Sequence, residues 1–475
     1  MTHALPFPET RYRRQFSLLF APLMIIGISN AHATSGQAGP TIETFSGERF
    51  EENWSRMATS TERTRPWHQL KWLDLGGDTR LSLGSDLKWR SEYIDAPLLG
   101  VSDSEEDFYV LRRFMVHGDL RFSRNVRFFS QFSHHKSTGR KEDFPFDNNA
   151  TDIQQAFLEI TGGEETDGFG VRLGRQEIVL TPRFVTSRGA LNQRGAFDGV
   201  RAWFSQGPWL VDGFATRAVV NKEGSFDDSP NDDERFDAVR LRYKFGAEQQ
   251  WQAIGSWHRI HRDQTTMGPF TGRDDRTSWG LRIKGVSGAW DVDIEHHQQT
   301  GEFADRDIDA FGGGGDVSYT WRDAPWTPRL GIRWLYGSGD GDISDNEVNT
   351  FFGPRARPPC CEDALWFSPS NLVVLSPVIA FRPTSRIWLD FKLDFVRRIK
   401  AEDGIFAAGR IAFPDSFGRS GGDALSIAPG FHFAWSPVDE ATIRSFFVYQ
   451  SADGVLSDMG GSDSNFSTLS IHFKF

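Results

Sequence analysis

Cysteine is almost missing from this chain: two residues in 475, Cys360 and Cys361, adjacent in a proline-rich stretch. Adjacent cysteines cannot staple distant segments, so a disulfide framework is excluded. A loop feature without chemistry is the plainest reading, with a vicinal disulfide or a bond to another chain as alternatives. No His or acidic set surrounds the pair at metal-ligand spacing. Long apolar runs are missing too. Beyond the first 33 residues no stretch reaches the 18 apolar residues that a transmembrane helix needs. No catalytic constellation is read in the chain: no serine nucleophile elbow, no H-E-x-x-H, no phosphate-binding G-x-x-x-x-G-K-[ST]. Lysine is scarce, since 43 of the 53 basic residues are Arg although the net charge is −11. The planar donor fork of Arg suits carboxylates, so this choice bears on what the protein meets.

What the chain does have is aromatic and glycine content: 41 Phe, 16 Trp and 47 Gly, with 38% hydrophobic residues overall. That is too apolar for a disordered chain and fits repeated strands and turns. The length allows two or three ordinary domains or one large β-barrel. Residues 1–33 read as a secretory signal. Arg11, Arg13 and Arg14 are its positive region, Phe16 to Ile28 its apolar region, and Ala31-His32-Ala33 its cleavage site, so the mature chain is expected to begin at Thr34. Residues 34–70 read as a periplasmic N-terminal segment, and 71–475 as an outer-membrane barrel.

Alternation carries the barrel reading. At the C-terminus Leu469, Ile471, Phe473 and Phe475 alternate with Ser470, His472 and Lys474. The terminal Phe475 on an apolar face resembles an insertion signal read by barrel-assembly machinery. Upstream, Val239, Leu241, Tyr243 and Phe245 oppose Arg240, Arg242 and Lys244, and Leu389, Phe391, Leu393 and Phe395 oppose Asp390, Lys392 and Asp394. A period of two means strands. Export with no membrane helix puts the apolar faces toward lipid. Eight short turn signals, near residues 124, 162, 207, 246, 287, 324, 383 and 437, alternate with longer polar stretches at 136–150, 181–196, 222–234, 262–277, 299–309, 337–367, 398–422 and 451–464. Eight inner turns with both barrel ends inside require about 18 strands. The predicted fold is thus all-β: a transmembrane antiparallel β-barrel with short periplasmic turns and long extracellular loops.

The candidate sites follow from the polar faces. Arg80, Lys88, Arg113, Arg121, Arg127, Arg240, Arg242, Arg282, Lys284 and Arg333 should enter the lumen, where a narrow pore would attract and orient anions. The alternative is bracing, with Asp78, Asp86, Asp119, Asp291, Asp293, Glu295 and Asp390 as partners. The pairs His134-His135 and His296-His297 straddle the wall and cannot chelate together. Asp340, Asp342 and Asp345 lie on a glycine-rich acidic loop that could hold calcium, though a solvated loop competes. No cofactor and no nucleic-acid partner is expected.

Several segments resemble the alginate export porin family. They are Leu70-Lys71-Trp72 with Leu75-Gly76-Gly77-Asp78-Thr79-Arg80; then Arg172-Leu173-Gly174-Arg175-Gln176-Glu177 with Arg183, Arg194 and Phe197-Asp198-Gly199-Val200-Arg201; and Tyr336-Gly337-Ser338-Gly339-Asp340 with Asn349-Thr350-Phe351 and Asn371-Leu372. The resemblance runs from about residue 70 to the end. It implies an 18-stranded barrel with an Arg-lined constriction passing an anionic polyuronate outward, with Arg80, Arg175, Arg194 and Arg201 lining the pore. Arg175 shares parity with Val171 and Leu173, so it enters the lumen only if a bulge at Gly174 reverses the alternation. The expected partners are outer-membrane lipid and an anionic oligo- or polysaccharide. Uptake of small carboxylates, or an adhesive or enzymatic barrel, are the competing functions.

Overall fold

The computed structural model describes residues 45–475 apart from 60–62, 103, 143, 145, 165–166, 189–190, 354–365, 408–411 and 414. The expected signal segment 1–33, residues 34–44, and both Cys360 and Cys361 lie outside the described residues. Eighteen strands form one closed antiparallel wall. They are β1 (Arg80–Ile94), β2 (Asp107–Arg121), β3 (Val126–Thr138), β4 (Asn149–Gly163), β5 (Asp167–Gln176), β6 (Phe197–Gln206), β7 (Trp209–Val220), β8 (Ser229–Phe245), β9 (Trp251–Met267), β10 (Phe270–Ser287), β11 (Trp290–Phe303), β12 (Arg306–Thr320), β13 (Arg329–Gly337), β14 (Leu372–Thr384), β15 (Ile387–Arg398), β16 (Ala424–Val438), β17 (Ala441–Gln450) and β18 (Ser464–Lys474). The wall closes where β1 pairs with β18, from Asp86 opposite Lys474 to Ile94 opposite Phe466. No helix among the described residues is long and apolar enough to cross a membrane; the crossing is made by strands, which pair their backbone groups along the ladder.

All eight short turns fall at or within a few residues of the expected signals, those at 385–386 and 439–440 just past them. Gly207 and Gly288, for example, take positive φ at the β6–β7 and β10–β11 turns. The apolar faces point outward: Leu173, Val200, Val211, Leu241, Leu281 and Ile471 are all exposed to the surroundings. Their opposite faces are polar and enclosed. The two His pairs straddle the wall, with His135 and His297 buried inside and His134 and His296 outside.

The loops depart from expectation. Residues 262–277 and 299–309 are mostly strand, turning tightly at 268–269 and 304–305. Polar composition looked like loop there. Above the lipid, however, both faces of a hairpin meet water, and pairs such as Arg259 with Asp275 at 2.6 Å suit a solvated ladder. The connection 95–106 between β1 and β2 is a further outer loop that the polar stretches did not reveal.

The lumen is not uniformly polar. Its outward half holds a contiguous apolar cluster in which Ile178, Leu180 and Phe184 from one loop meet Phe351, Phe352, Trp366 and Phe367 from another and Ile405, Phe406 and Phe413 from a third. Wall glycine makes room for it: a Cβ at Gly312 would sit 2.6 Å from the Phe351 ring. The loop after β13 and the loop after β15 are tied by Asn371, whose side chain bonds both Lys400 and Gly404, and by Asp403, which accepts from Asp340 N and Thr350 Oγ1. Burial pushes the Asp403 carboxyl up to about 6.

At the inward mouth, the stretch 48–52 enters the barrel. Phe50 packs edge-on against Phe129 and Phe157 inside the wall. Arg49 donates to Ser85 O at 2.6 Å and Phe475 O at 2.7 Å, bridging the seam. Leu73–Asp74 pair with β1 just where β18 has ended.

Candidate functional site

The connection between β5 and β6 builds the constriction. Residues 177–188 and 191–196 do not stay outside; they fold into the lumen, with a small hairpin of Val179–Thr181 and Val185–Thr186. Its apolar side chains join the outward cluster, and Phe184 packs against His297 and Phe351. At its tip Arg183 reaches β11, contacting Asp293 at 3.2 Å and Glu295 at 3.3 Å. At its return Arg194 lies 3.4 Å from Asp86 on β1 and 3.6 Å from Glu177. Arg113 on β2 donates to Asn192 O at 3.2 Å. The loop therefore touches walls on several sides and divides the channel. The sequence reading named Arg183 in the family-like motif without giving it a place in the pore, and it missed the inward fold. A signal was there: Ile178, Leu180, Phe184 and Val185 are too apolar for a solvated loop.

Inward of this loop the lumen cations fall into two groups. The first group braces. Asp212 on β7 holds both Arg201 (2.7 Å) and Arg240, whose second nitrogen contact to Oδ2 is 3.0 Å. Arg127 pairs with Glu159 at 2.8 Å and Arg121 with Asp119 at 3.0 Å. Arg282 pairs with Asp293 at 2.5 Å, and Arg333 lies between Asp316 (2.8 Å) and Asp390 (3.3 Å). Lys88 is half-buried on the lumen face of β1.

The second group has no carboxylate. Arg242 and Lys244 on β8 and Lys284 on β10 are half-buried on the lumen face and make no ion pair with the described residues. Register explains why. Arg242 lies across from Leu210 on β7 and Ile254 on β9. Lys244 and Lys284 flank Gln252. Lys284 also faces Asp293, but Arg282 and Arg183 already occupy that carboxylate. The Arg242 Nε is buried without a hydrogen bond. Together they are a stripe of uncompensated positive charge on one wall of the inner vestibule, where screening is weak.

Two expected pore residues are elsewhere. Arg175 is on the outer face: it pairs with Asp198 at 2.9 and 3.0 Å and donates to Asp228 O beneath the 221–228 loop, whose Phe226 packs on lipid-facing Phe132. Gly174 takes φ +128, yet β5 keeps its register with β4 and β6, so no bulge turns Arg175 inward. Arg80 sits at the inner rim, bound to exposed Asp74 at 3.0 Å. The acidic loop does not converge on a cation either. Asp340 accepts Asp342 N, Asp342 accepts Ser344 N, and Asp345 accepts Glu347 N, each a local turn bond. Among the described residues the carboxylates that converge as a metal site would are Asp152, Asp227 and Asp228 beside Arg175, and backbone N–H groups already fill Asp152 Oδ2. The expectation of no serine elbow overlooked Gly418-Arg419-Ser420-Gly421-Gly422, which has the G-x-S-x-G spacing. It lies in the loop between β15 and β16, not on a strand-to-helix turn, and Ser420 is exposed.

The comparisons agree with this geometry. The family model described as alginate export matches residues 79–444. Among solved structures the chain is similar to OccAB3 of Acinetobacter baumannii (TM-score 0.57, 10% identity, covering 83% of this chain and 99% of that one). It is also similar to OccK11 (OpdR) of Pseudomonas aeruginosa (0.53, 12%, 83% and 96%) and to OpdK of P. aeruginosa solved with vanillate (0.55, 9%, 83% and 98%). At such identities these likenesses speak for the fold. No curated protein matches the chain in sequence. With more than half its length matched and a closed 18-stranded wall, the chain belongs to the alginate export family of outer-membrane β-barrel channels.

Proposed function

We propose that this barrel is a passive, anion-preferring channel for acidic saccharides, with alginate-like polyuronates as the cargo and export as the direction. The observation that carries the reading is the stripe Arg242, Lys244 and Lys284, cations that the lumen leaves without carboxylates while it pairs their neighbours. Fixed positive charge on a low-dielectric wall concentrates anions and orients them along the axis. The braced Arg–Asp pairs keep the surrounding wall rigid. Reversal potentials of the purified full chain in planar bilayers under a salt gradient test the reading, with tetrameric oligouronate added from either side. Anion preference with block by the oligouronate is expected. A channel with no anion preference would sink it.

A second reading is uptake of small carboxylates. Vanillate, a small aromatic carboxylate, is bound in the OpdK structure, and the apolar cluster in the outward half of this lumen favours passage of a compact solute over a bulky chain. The same bilayer experiment separates the two, because only the first expects a tetrauronate to outcompete a monocarboxylate.

A further inference from the structure

The N-terminal segment carries a carboxylate into the constriction. Glu48 lies 3.2 Å from Arg188 Nη2, and Arg188 belongs to the loop that divides the channel. The fit is close: a Cβ at Gly47 would sit 2.2 Å from Arg188 Nη1, so any larger residue there would displace the guanidinium. The contact is electrostatic more than hydrogen-bonded. Arg188 Nε and Nη2 are buried with no hydrogen bond; Glu177 is 3.7 Å from Nε, and Glu51, beside Glu48, is also near enough to act on the guanidinium. An Arg with two unsatisfied donors in a channel wall is a ready site for a second carboxylate. The segment is held by side chains other than Glu48. Phe50 is sandwiched with Phe157 around Arg172, whose guanidinium carbon is 4.2 Å from one ring centroid and 4.1 Å from the other, and Arg49 is fixed at the seam. Glu48 can therefore leave Arg188 without the segment leaving the barrel.

We propose that Arg188 is a binding site for cargo carboxylate, and that Glu48 is its internal counter-ion, displaced when an anionic saccharide enters the constriction. The idea rests on the reading of the pore as a channel for acidic saccharides. It adds that the resting site is occupied by the chain's own carboxylate, which weakens binding at low cargo concentration and gives the site an ion pair whenever the pore is empty.

The test is oligouronate block of the full chain in planar bilayers, with heat-modifiable mobility confirming that each variant is folded. Glu48→Gln keeps the shape and removes the competing charge, so the half-blocking concentration of a tetrauronate should fall about fivefold, the ratio that about 1 kcal/mol of partly exposed ion pairing gives. Phe50→Ala loosens the anchor without changing charge and should act in the same direction. Arg188→Gln should raise the half-blocking concentration and make Glu48→Gln silent when the two are combined. Parent-like block in both Glu48→Gln and Phe50→Ala overturns the proposal. Anion preference with no oligouronate block in any variant also overturns it, while leaving an anion channel in place. Loss of anion preference in the parent itself would remove the functional reading on which the proposal stands.

Discussion

Two stretches of the same wall, one rung apart, treat arginine differently. Arg240 and Arg242 are neighbours on the lumen face of β8. Arg240 lies across from Asp212 and is locked to it together with Arg201; Arg242 lies across from Leu210 and has no carboxylate partner among the described residues. Identical side chains with identical alternation thus serve two ends, bracing and field. The difference is made by the facing strand, and it shows that charge on a polar face does not by itself define a pore site. Burying a cation in a barrel wall is costly unless it is paired. Where the wall leaves a cation unpaired and half-open to the vestibule, solvent or cargo must supply the missing anion.

The sharpest way to break the comparison is Asp212→Ala. It strips the shared carboxylate from two cations at once, and removing one partner of a buried ion pair costs about 3–5 kcal/mol. Unfolding in denaturant, followed by heat-modifiable mobility, should show a loss of that order. Anion preference should persist, since positive charge is freed and not removed. A fall in selectivity with unchanged stability would assign Asp212 to the filter instead of the frame.

Next in size is the outward half, where the chemistry is apolar. Phe184 is fully enclosed between His297 and Phe351. Phe184→Ala should cost about 3 kcal/mol, at the low end for a large aromatic because the loop can relax, and should raise single-channel conductance by loosening the constriction hairpin. Unaltered conductance would mean that ions bypass this loop.

How much of this was legible beforehand follows the range of the interactions. The turns were readable because Gly and Pro act on their own dihedrals, as at Gly207 and Gly288. The lipid and lumen faces were readable because alternation is local, as where exposed Leu241 follows lumen-facing Arg240 on β8. What could not be read was pairing. Arg201 and Arg240 are 39 positions apart and meet only because β6, β7 and β8 align on Asp212. Parity alone put Arg175 outside with Val171 and Leu173, and β5 keeps its register through Gly174; it was the resemblance that drew Arg175 into the pore. The inward fold of the hairpin around Phe184 lay between these limits, with its apolar residues visible and their destination not.

Arg242→Glu and Lys244→Glu sharpen the comparison with smaller effects on stability. Neither cation has a partner to lose, so unfolding free energy should move by no more than about 1 kcal/mol, the range of exposed charge interactions. The reversal potential should shift toward cation preference for each, and further for both together. Arg240→Glu, by contrast, would set two carboxylates against each other at Asp212 and should destabilise before it alters selectivity. Equal behaviour of Arg240→Glu and Arg242→Glu would erase the distinction between frame and field.

The smallest effect is a pH dependence of selectivity set by Glu51. Desolvation within the barrel mouth, and then the neighbouring Glu48, push its carboxyl up to about 7, while Arg188 and Arg201 pull the other way. A carboxyl whose folded value is raised binds its proton more tightly in the native state than in the unfolded one. The stabilisation this gives is fully present below the ordinary carboxylate range and is lost as pH rises through about 7. The same proton changes the field. Above 7 the ionised Glu51 sets a negative charge beside Arg188 and Arg201 and partly cancels the vestibule stripe; below 7 it is neutral and the stripe acts unopposed. Anion preference should therefore rise as pH falls from 8 to 6. Glu51→Gln should remove that slope and hold the preference near the low-pH value throughout. Subtracting the variant's curve from the parent's isolates Glu51 from other titrating groups. A variant as pH-dependent as the parent would assign the slope to another group and leave Glu51 outside the conducting path.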